Sequence, residues 1–476
     1  MGDNKNNKKQ ASETKGNLSW WQLSLLGVAG TIGTGYFLGS ALAIKVGGPS
    51  VIFTFVLAAL GTYCVFNALA GMTAAEPEQG SFRSYAKKAY GKWAGFSSGW
   101  GYFSSELLIM GSQLTALSLF TRFWFPAIPM WVFASVYALL GLLIIVIGTK
   151  LFDPLQTTAA IIKLSAILMF IGLGAAGLFG WLSGGIKPHA PLRLTEIFPT
   201  GITGTWAALL FSFYAFGGVE VMGLMALRLK EPEDAPKSGR IMITVLAVIY
   251  VTSLVLVLTL APWQSYGTKK SPFIQALATY ELPFIPHLFN GVLIVAGFST
   301  MVASLYAVTT MLVTLAQDKD APSLFGRKVK ERFPIYAYGF NAVLLGISIL
   351  TALLLPDTIY ESITTAAGLM LLYNWSFILI TSGKLLKLTP FGQVKRYGGL
   401  LLILLAVTGT LFHKTGRPGF WISFLFIACI GLITLFMQKK VWTAEKPKRT
   451  KPDRKLIQSL KSNKYRFPGR VKKIKP

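Results

Sequence analysis

Long apolar runs alternate with short polar stretches along this chain, and the runs are of helical rather than strand length. Twelve stand out, near residues 20–46, 49–75, 93–119, 130–149, 154–178, 203–227, 241–262, 285–316, 334–355, 358–382, 397–412 and 418–437. About 20 apolar residues let one helix cross a bilayer. The runs are continuous rather than alternations of about ten residues, which excludes a transmembrane β-barrel. The pattern therefore predicts an all-α integral membrane protein of about 12 transmembrane helices.

Two runs are interrupted where a spanning helix should be most regular. The first has Gly30-Thr31-Ile32-Gly33-Thr34-Gly35 at its middle, and the sixth has Phe216-Gly217-Gly218-Val219-Glu220. Irregular backbone at membrane depth is tolerated only where protein buries it or it lines a cavity. Interrupted spans at matching places in two halves of a chain point to a transport site built on inverted repeats. The offset is five spans, an odd number, so the halves would have opposite topology. A competing reading is close helix packing, for which Gly35-x-x-x-Gly39 has the right spacing. A phosphate loop is discarded, because Gly33-x-Gly35-x-x-x-Gly39 misses the dinucleotide spacing and follows no strand.

Composition supports the membrane class. Of 476 residues, 53% are hydrophobic and 14% charged, against about a quarter charged in soluble domains. The net charge of +27 raises the question of nucleic acid, and its distribution answers it. With the N-terminus in the cytoplasm, 37 of the 46 Lys and Arg fall on the cytoplasmic side, 15 of them after residue 437. Eight fall on the other side, and Lys163 lies inside a span. That is the positive-inside bias, which predicts that both termini are cytoplasmic. The basic tail then reads as a segment drawn to anionic lipid headgroups, with no nucleic-acid partner. Cys64 and Cys429 sit in apolar runs and offer neither a disulfide framework nor metal spacing. His189, His287 and His413 are scattered, so no metal or cofactor is expected. The first run lacks a small-residue cleavage site, so it is expected to be a retained span rather than a removed signal.

The expected organisation is an N-tail over 1–19, one set of five spans over 20–178, a second over 203–382, two further spans over 397–437 and a basic tail over 438–476. No soluble domain is expected in any loop.

Four stretches carry a resemblance to a known family. They are Gly30-Thr31-Ile32-Gly33-Thr34-Gly35-Tyr36-Phe37-Leu38-Gly39; Pro77-Glu78-Gln79-Gly80-Ser81-Phe82-Arg83-Ser84-Tyr85-Ala86 with Gly99-Trp100-Gly101-Tyr102; Ile161-Ile162-Lys163-Leu164; and Phe216-Gly217-Gly218-Val219-Glu220. Together they resemble the first-helix signature, helix 2–3 junction, fifth-helix lysine motif and sixth-helix break of the amino acid–polyamine–organocation (APC) superfamily of permeases. The likeness covers the first ten spans. Departures are Arg228, where the family often has Glu, the short gap between Pro232 and Pro236, and Ala303-Ser304 with Thr310, where the family often has Asn-Ser and a later Arg. The resemblance implies a LeuT-like 5+5 inverted repeat with two extra helices. It also implies a permease of the plasma membrane that works by alternating access. Small loops and short tails fit a bacterial source.

A free amino acid brings two opposite charges that must both be satisfied away from water. Helix N-termini offer N–H groups and a positive dipole end to the carboxylate. Unwound carbonyls can hold the ammonium. The carboxylate is therefore assigned to N–H groups around Thr34 and Gly35, with help from the Thr34 hydroxyl. The ammonium is assigned to carbonyls near Ile32, Tyr214 and Gly217, with Gly33 and Phe216 as further candidate substrate-binding residues. The resemblance implies the same arrangement and makes Tyr214 a lid over the substrate; simple packing is the competing reading for Tyr214.

Three ionisable residues lie within spans: Glu106, Lys163 and Glu220. Such residues usually face the bundle interior and mark a pathway. The resemblance places the Lys163 ammonium between helices 1, 5 and 8, where sodium-coupled relatives of the fold hold Na⁺, so proton symport driven by the proton motive force is the expected coupling. Exchange is the second possibility, and a fixed charge on helix-end carbonyls the structural one. Glu220 reads as a gate or proton site, or as a buried structural acid. Glu106 reads as a partner for a cationic substrate, or as an acid bonded to a neighbouring helix. The lack of a decisive charge along span 8 favours a neutral amino acid, while Glu106 keeps a cationic amino acid or polyamine open. A membrane enzyme lacks its catalytic cluster; a permease-like nutrient sensor stays open.

Overall fold

The computed structural model describes residues 18–78, 80–185, 193–327, 334–354, 359–414 and 416–442. His189 and most of both tails lie outside them. The described chain is helical, and eight of its helical stretches are long and apolar enough to cross a membrane, with Ile335–Thr351 a shorter apolar one. It is an all-α, multi-spanning membrane protein.

The first run is three helices in succession: α1 (Trp20–Thr31), α2 (Thr34–Phe37) and α3 (Gly39–Gly47). Four long helices follow: α4 (Val51–Ala75), then α6 (Lys92–Thr121), α7 (Met130–Ile147) and α8 (Thr149–Leu178), with the short α5 (Phe82–Tyr90) between the first two. The order then repeats. A second interrupted run, α9 (Gly201–Tyr214) and α10 (Val219–Met225), precedes α11 (Ala235–Leu260), the short α12 (Pro272–Leu277), α13 (Ile285–Gln317), α14 (Ile335–Leu354) and α15 (Ile359–Leu385). Two more helices, α16 (Pro390–Phe412) and α17 (Gly416–Phe436), complete the series.

Several boundaries differ from the hydropathy reading. Gly148, at φ 85°, turns the chain between α7 and α8 in one residue, so α8 begins at Thr149 and carries Pro154 inside it. Helix α16 begins at Pro390, seven residues before the apolar run. Thr389 accepts a hydrogen bond from the Gly392 N–H there, and Pro390 needs no N–H partner at a helix start.

Burial separates centre from rim. In the apolar window of α15, 72% of residues are buried, against 28% in that of α7. Helix α6 packs most extensively, against α13 and α15, while α4 packs on α11. Residues to Gly431 form one compact unit and those from Leu432 another. In the second, the described chain is helical to Trp442, and Lys440 Nζ lies 5.2 Å from the Phe436 ring.

Candidate functional site at two helix breaks

The first break is two residues long and lies slightly before the place the glycine pattern marks. Ile32 (φ −69°, ψ 109°) and Gly33 (φ −154°, ψ −160°) are extended, whereas Thr34 and Gly35 already belong to α2. Heading a helix, the N–H groups of Thr34 and Gly35 have no acceptor within it. A second irregularity at Leu38 (φ −120°, ψ −35°) separates α2 from α3.

The second break runs from Ala215 to Gly218. Gly218 adopts φ 103°, a left-handed conformation that side chains other than glycine rarely take. A Cβ at Gly218 would lie 3.7 Å from the Gly30 carbonyl oxygen and from Thr31 Cα. The second break therefore rests on the end of α1. Tyr214 crosses in the other direction: a Cβ at Gly35 would lie 3.0 Å from the Tyr214 carbonyl oxygen and 3.3 Å from its ring. The two interruptions meet.

An account of the backbone shows what this junction leaves over. Val28 C=O accepts from Ile32 N–H at 3.2 Å, and Gly33 C=O from Tyr36 and Phe37 N–H at 3.1 and 3.0 Å. Lys163 Nζ donates to Ala29 C=O at 3.4 Å. At the second break, Phe213, Tyr214 and Ala215 carbonyls accept from Phe216 N–H, Gly217 N–H and the Tyr250 hydroxyl, at 2.9, 3.0 and 3.1 Å. Among the described residues, the carbonyls of Gly30, Thr31, Ile32, Phe216 and Gly217 receive no protein donor. Thr31 Oγ1, Thr34 Oγ1, Ser105 Oγ and Gln113 Oε1 are likewise buried without a partner among the described residues. Gly30 is exposed and Gly217 half-buried, but the groups on the buried residues call for an explanation, because leaving one unmatched costs about 1–3 kcal/mol.

The three in-span ionisable residues are all buried. Lys163, on α8, reaches the last turn of α1 through Ala29. Glu220 Oε2 accepts from Gly218 N–H at 3.2 Å and from Trp375 Nε1 of α15 at 3.1 Å, so it ties the end of the second break to α15. Glu106, on α6, lies near Glu220, with Tyr102 and Ser304 beside it. Trp375 was not singled out by the sequence; a lone tryptophan in an apolar run gives no signal of its hydrogen bond. Tyr36 and Tyr250 were missed for the same reason.

One wall of the junction is apolar. Ile109, Tyr214 and Ala367 form a small cluster apart from the main core, with Leu108 against it. At its edge Ser112 Oγ and Thr364 Oγ1 lie 2.8 Å apart. Among the described residues, no three His, Cys, Asp or Glu side chains are grouped to hold a metal ion.

Two broken helices that meet at unmatched backbone groups inside a multi-spanning bundle fit a membrane transporter. The amino acid permease family model matches residues 22–450, and this chain belongs to that family. It is similar to the "Uncharacterized transporter YcgH" of Bacillus subtilis (strain 168), 52% identical over 436 residues, which cover 91% of this chain and 98% of that protein. It is also similar to the "Aromatic amino acid transport protein AroP" of Escherichia coli (strain K12), 30% identical over 421 residues, or 87% of this chain and 88% of that one. The AroP protein of Salmonella typhi is likewise 30% identical over 428 residues, 88% of this chain and 90% of that protein.

Proposed function

We propose that this permease moves a neutral L-amino acid across the plasma membrane by alternating access, as a proton symporter. The observation that carries this reading is the meeting of the two breaks, which sets the free N–H groups of Thr34 and Gly35 beside free carbonyls from both breaks. The substrate carboxylate is assigned to the N–H groups of Thr34 and Gly35, with the Thr34 hydroxyl beside them and Gly33, packed against Thr300, shaping the turn before them. Its ammonium is assigned to the carbonyls of Ile32, Phe216 and Gly217. Tyr214 closes over the substrate, and the Ile109–Ala367 wall takes an apolar side chain. The two AroP relatives put aromatic amino acids first in any substrate panel.

Lys163 is assigned the coupling role. Its contact with the Ala29 carbonyl ties its charge state to the end of α1, next to the substrate groups. Glu220 holds the second break in shape and gates it. Glu106 supports a second reading, transport of a cationic amino acid, because a buried acid faces the same junction. In topology, 20–178 and 203–382 are read as two inverted five-helix repeats, with 397–437 as two added spans. Both termini are placed in the cytoplasm, the basic 438–476 tail against anionic lipid.

Uptake of labelled amino acids into proteoliposomes tests this directly. Wild type is expected to concentrate a neutral amino acid when a pH gradient is imposed, and Lys163→Ala to lose that gradient dependence. Preference for lysine or arginine would favour the cationic reading. An active Lys163→Ala protein with unchanged gradient dependence would remove Lys163 from coupling.

A further inference from the structure

The two breaks are joined by an aromatic clasp on α11, independent of any substrate. Tyr36, in the short helix after the first break, stacks on Tyr250 with ring centroids 3.8 Å apart and planes 8° from parallel. The Tyr36 hydroxyl is also bonded to Ser253 Oγ, one turn along α11. Ser253 directs its own proton to the carbonyls of Ile249, at 2.5 Å, and Tyr250, at 3.2 Å. A serine hydroxyl has one proton, so Tyr36 is the donor and Ser253 the acceptor. Tyr250 in turn donates to the Ala215 carbonyl, which the second break has released from its helix. Phe216, the next residue of that break, lies with its ring 5.1 Å from Tyr250, and Phe55 of α4 packs on Tyr36, Tyr250 and Phe216. Tyr36 and Tyr250 are fully buried, as is Ser253.

We infer that Tyr36, Tyr250 and Ser253 are positioning residues that fix the geometry of one break relative to the other, so that the two half-sites bind one substrate together. The inference rests on reading the two breaks as halves of a single substrate site. The physical argument is one of freedom. Broken helices lack the internal hydrogen bonds that hold a continuous helix in register. Each break here borrows rigidity from α11 instead, one through a ring stack and a hydroxyl, the other through a carbonyl. Because Tyr250 serves both, disturbing either side is felt at the other. None of the three touches the proposed carboxylate or ammonium groups, so their effect on binding is indirect.

The test uses the full-length protein in proteoliposomes. Tyr250→Phe keeps the stack and frees the Ala215 carbonyl. Tyr36→Leu removes the stack, and Tyr36→Phe restores the ring without the hydroxyl. Tyr250→Phe is expected to raise KM about fivefold or more, the effect of one buried unmatched group, and Tyr36→Leu to raise it by a similar factor through loss of the ring stack, with Vmax changing less. Their combination should be no worse than the worse single variant, and Tyr36→Phe should recover most of the KM lost in Tyr36→Leu. Unchanged KM in both single variants, or strictly additive effects, would overturn the clasp.

Amide hydrogen exchange supplies the arm that needs no substrate. Tyr250→Phe should speed exchange at Tyr36, Phe37 and Leu38, and Tyr36→Leu at Phe216 and Gly217, across the junction in each case. Purely local changes would overturn the inference. Wild-type protein that takes up no amino acid would overturn the transport reading instead, and the exchange result would still decide the clasp.

Discussion

Glycines at the two breaks are there for different physical reasons, and substitution should separate them. Gly218 needs its backbone conformation: φ is 103°, while the nearest atoms to an added Cβ are 3.7 Å away. Alanine fits the space there but not the backbone, at a cost of about 1–3 kcal/mol. Gly35 needs close approach: its Cβ would press on the Tyr214 carbonyl at 3.0 Å, and that carbonyl is itself held by the Gly217 N–H. Gly30, in the same signature, has nothing within 4 Å of an added Cβ and lies in the last turn of α1 with an ordinary helical backbone. Alanine is favoured over glycine by up to about 1 kcal/mol within a helix, and by less in its last turn. Thermal unfolding in detergent should therefore show lower Tm for Gly218→Ala and Gly35→Ala, and an equal or higher Tm for Gly30→Ala. A drop for Gly30→Ala as large as for the others would mean that the signature acts as one unit, against the separation argued for these residues.

At the scale of elements, α5 shows what hydropathy does not reveal. Its nine residues are short, charged and amphipathic, and they read from sequence as a junction between spans. In the structure Ser81 (φ 46°) and Gly91 (φ 92°) bend the chain at either end, and the helix turns Arg83 inward. Arg83 is 1% exposed, with Nη1 2.7 Å from Asp318 and Nη2 2.5 Å from Asp320, just past the end of α13; Lys87 adds a contact to Asp318 at 2.9 Å. Burial works against the Asp318 charge, but Lys87 and Arg83 together hold its carboxyl below the usual range. Its contribution is thus present above the ordinary Asp range and lost as pH falls through the depressed value. Burial pushes Asp320 the other way despite Arg83, so that group contributes with the opposite sign. Removing Arg83 strands a buried carboxylate, which costs roughly 3–5 kcal/mol. Arg83→Met should lower Tm sharply, and Arg83→Met with Asp320→Asn should recover a large part of the loss. No recovery would show that Arg83 acts by packing rather than by charge. The motif around Arg83 was visible in the sequence; its partners, about 235 residues later, were not, because nothing local links the two segments.

For the molecule as a whole, the class and the existence of two broken spans were legible because apolar length and glycine placement are local signals. What meets what was not, since pairs such as Gly218 with Gly30 or Tyr36 with Tyr250 are set by packing across the bundle. The repeated order of elements bears on topology beyond either signal. Each broken run is followed by a long helix, a short helix and three more long helices, with α5 and α12 in the same place of their series. If the two series are inverted, those short helices lie on opposite sides of the membrane. The charge pattern puts α5, with Arg83, Lys87 and Lys88, on the cytoplasmic side. The loop that leads into α12, with Lys269 and Lys270, then belongs outside. Single cysteines can decide this, in a background with Cys64 and Cys429 replaced by serine. Lys88 has a 42% exposed side chain, and Lys270 is also exposed, so each site is open to reagent. In intact cells a membrane-impermeant maleimide should label Lys270→Cys and spare Lys88→Cys, and Lys88→Cys should react only once the membrane is opened. Labelling of both from outside would make the two series parallel. The breaks would then present the same helix ends in the same sense, which removes the opposed arrangement of half-helices on which the inverted-repeat reading of the site depends.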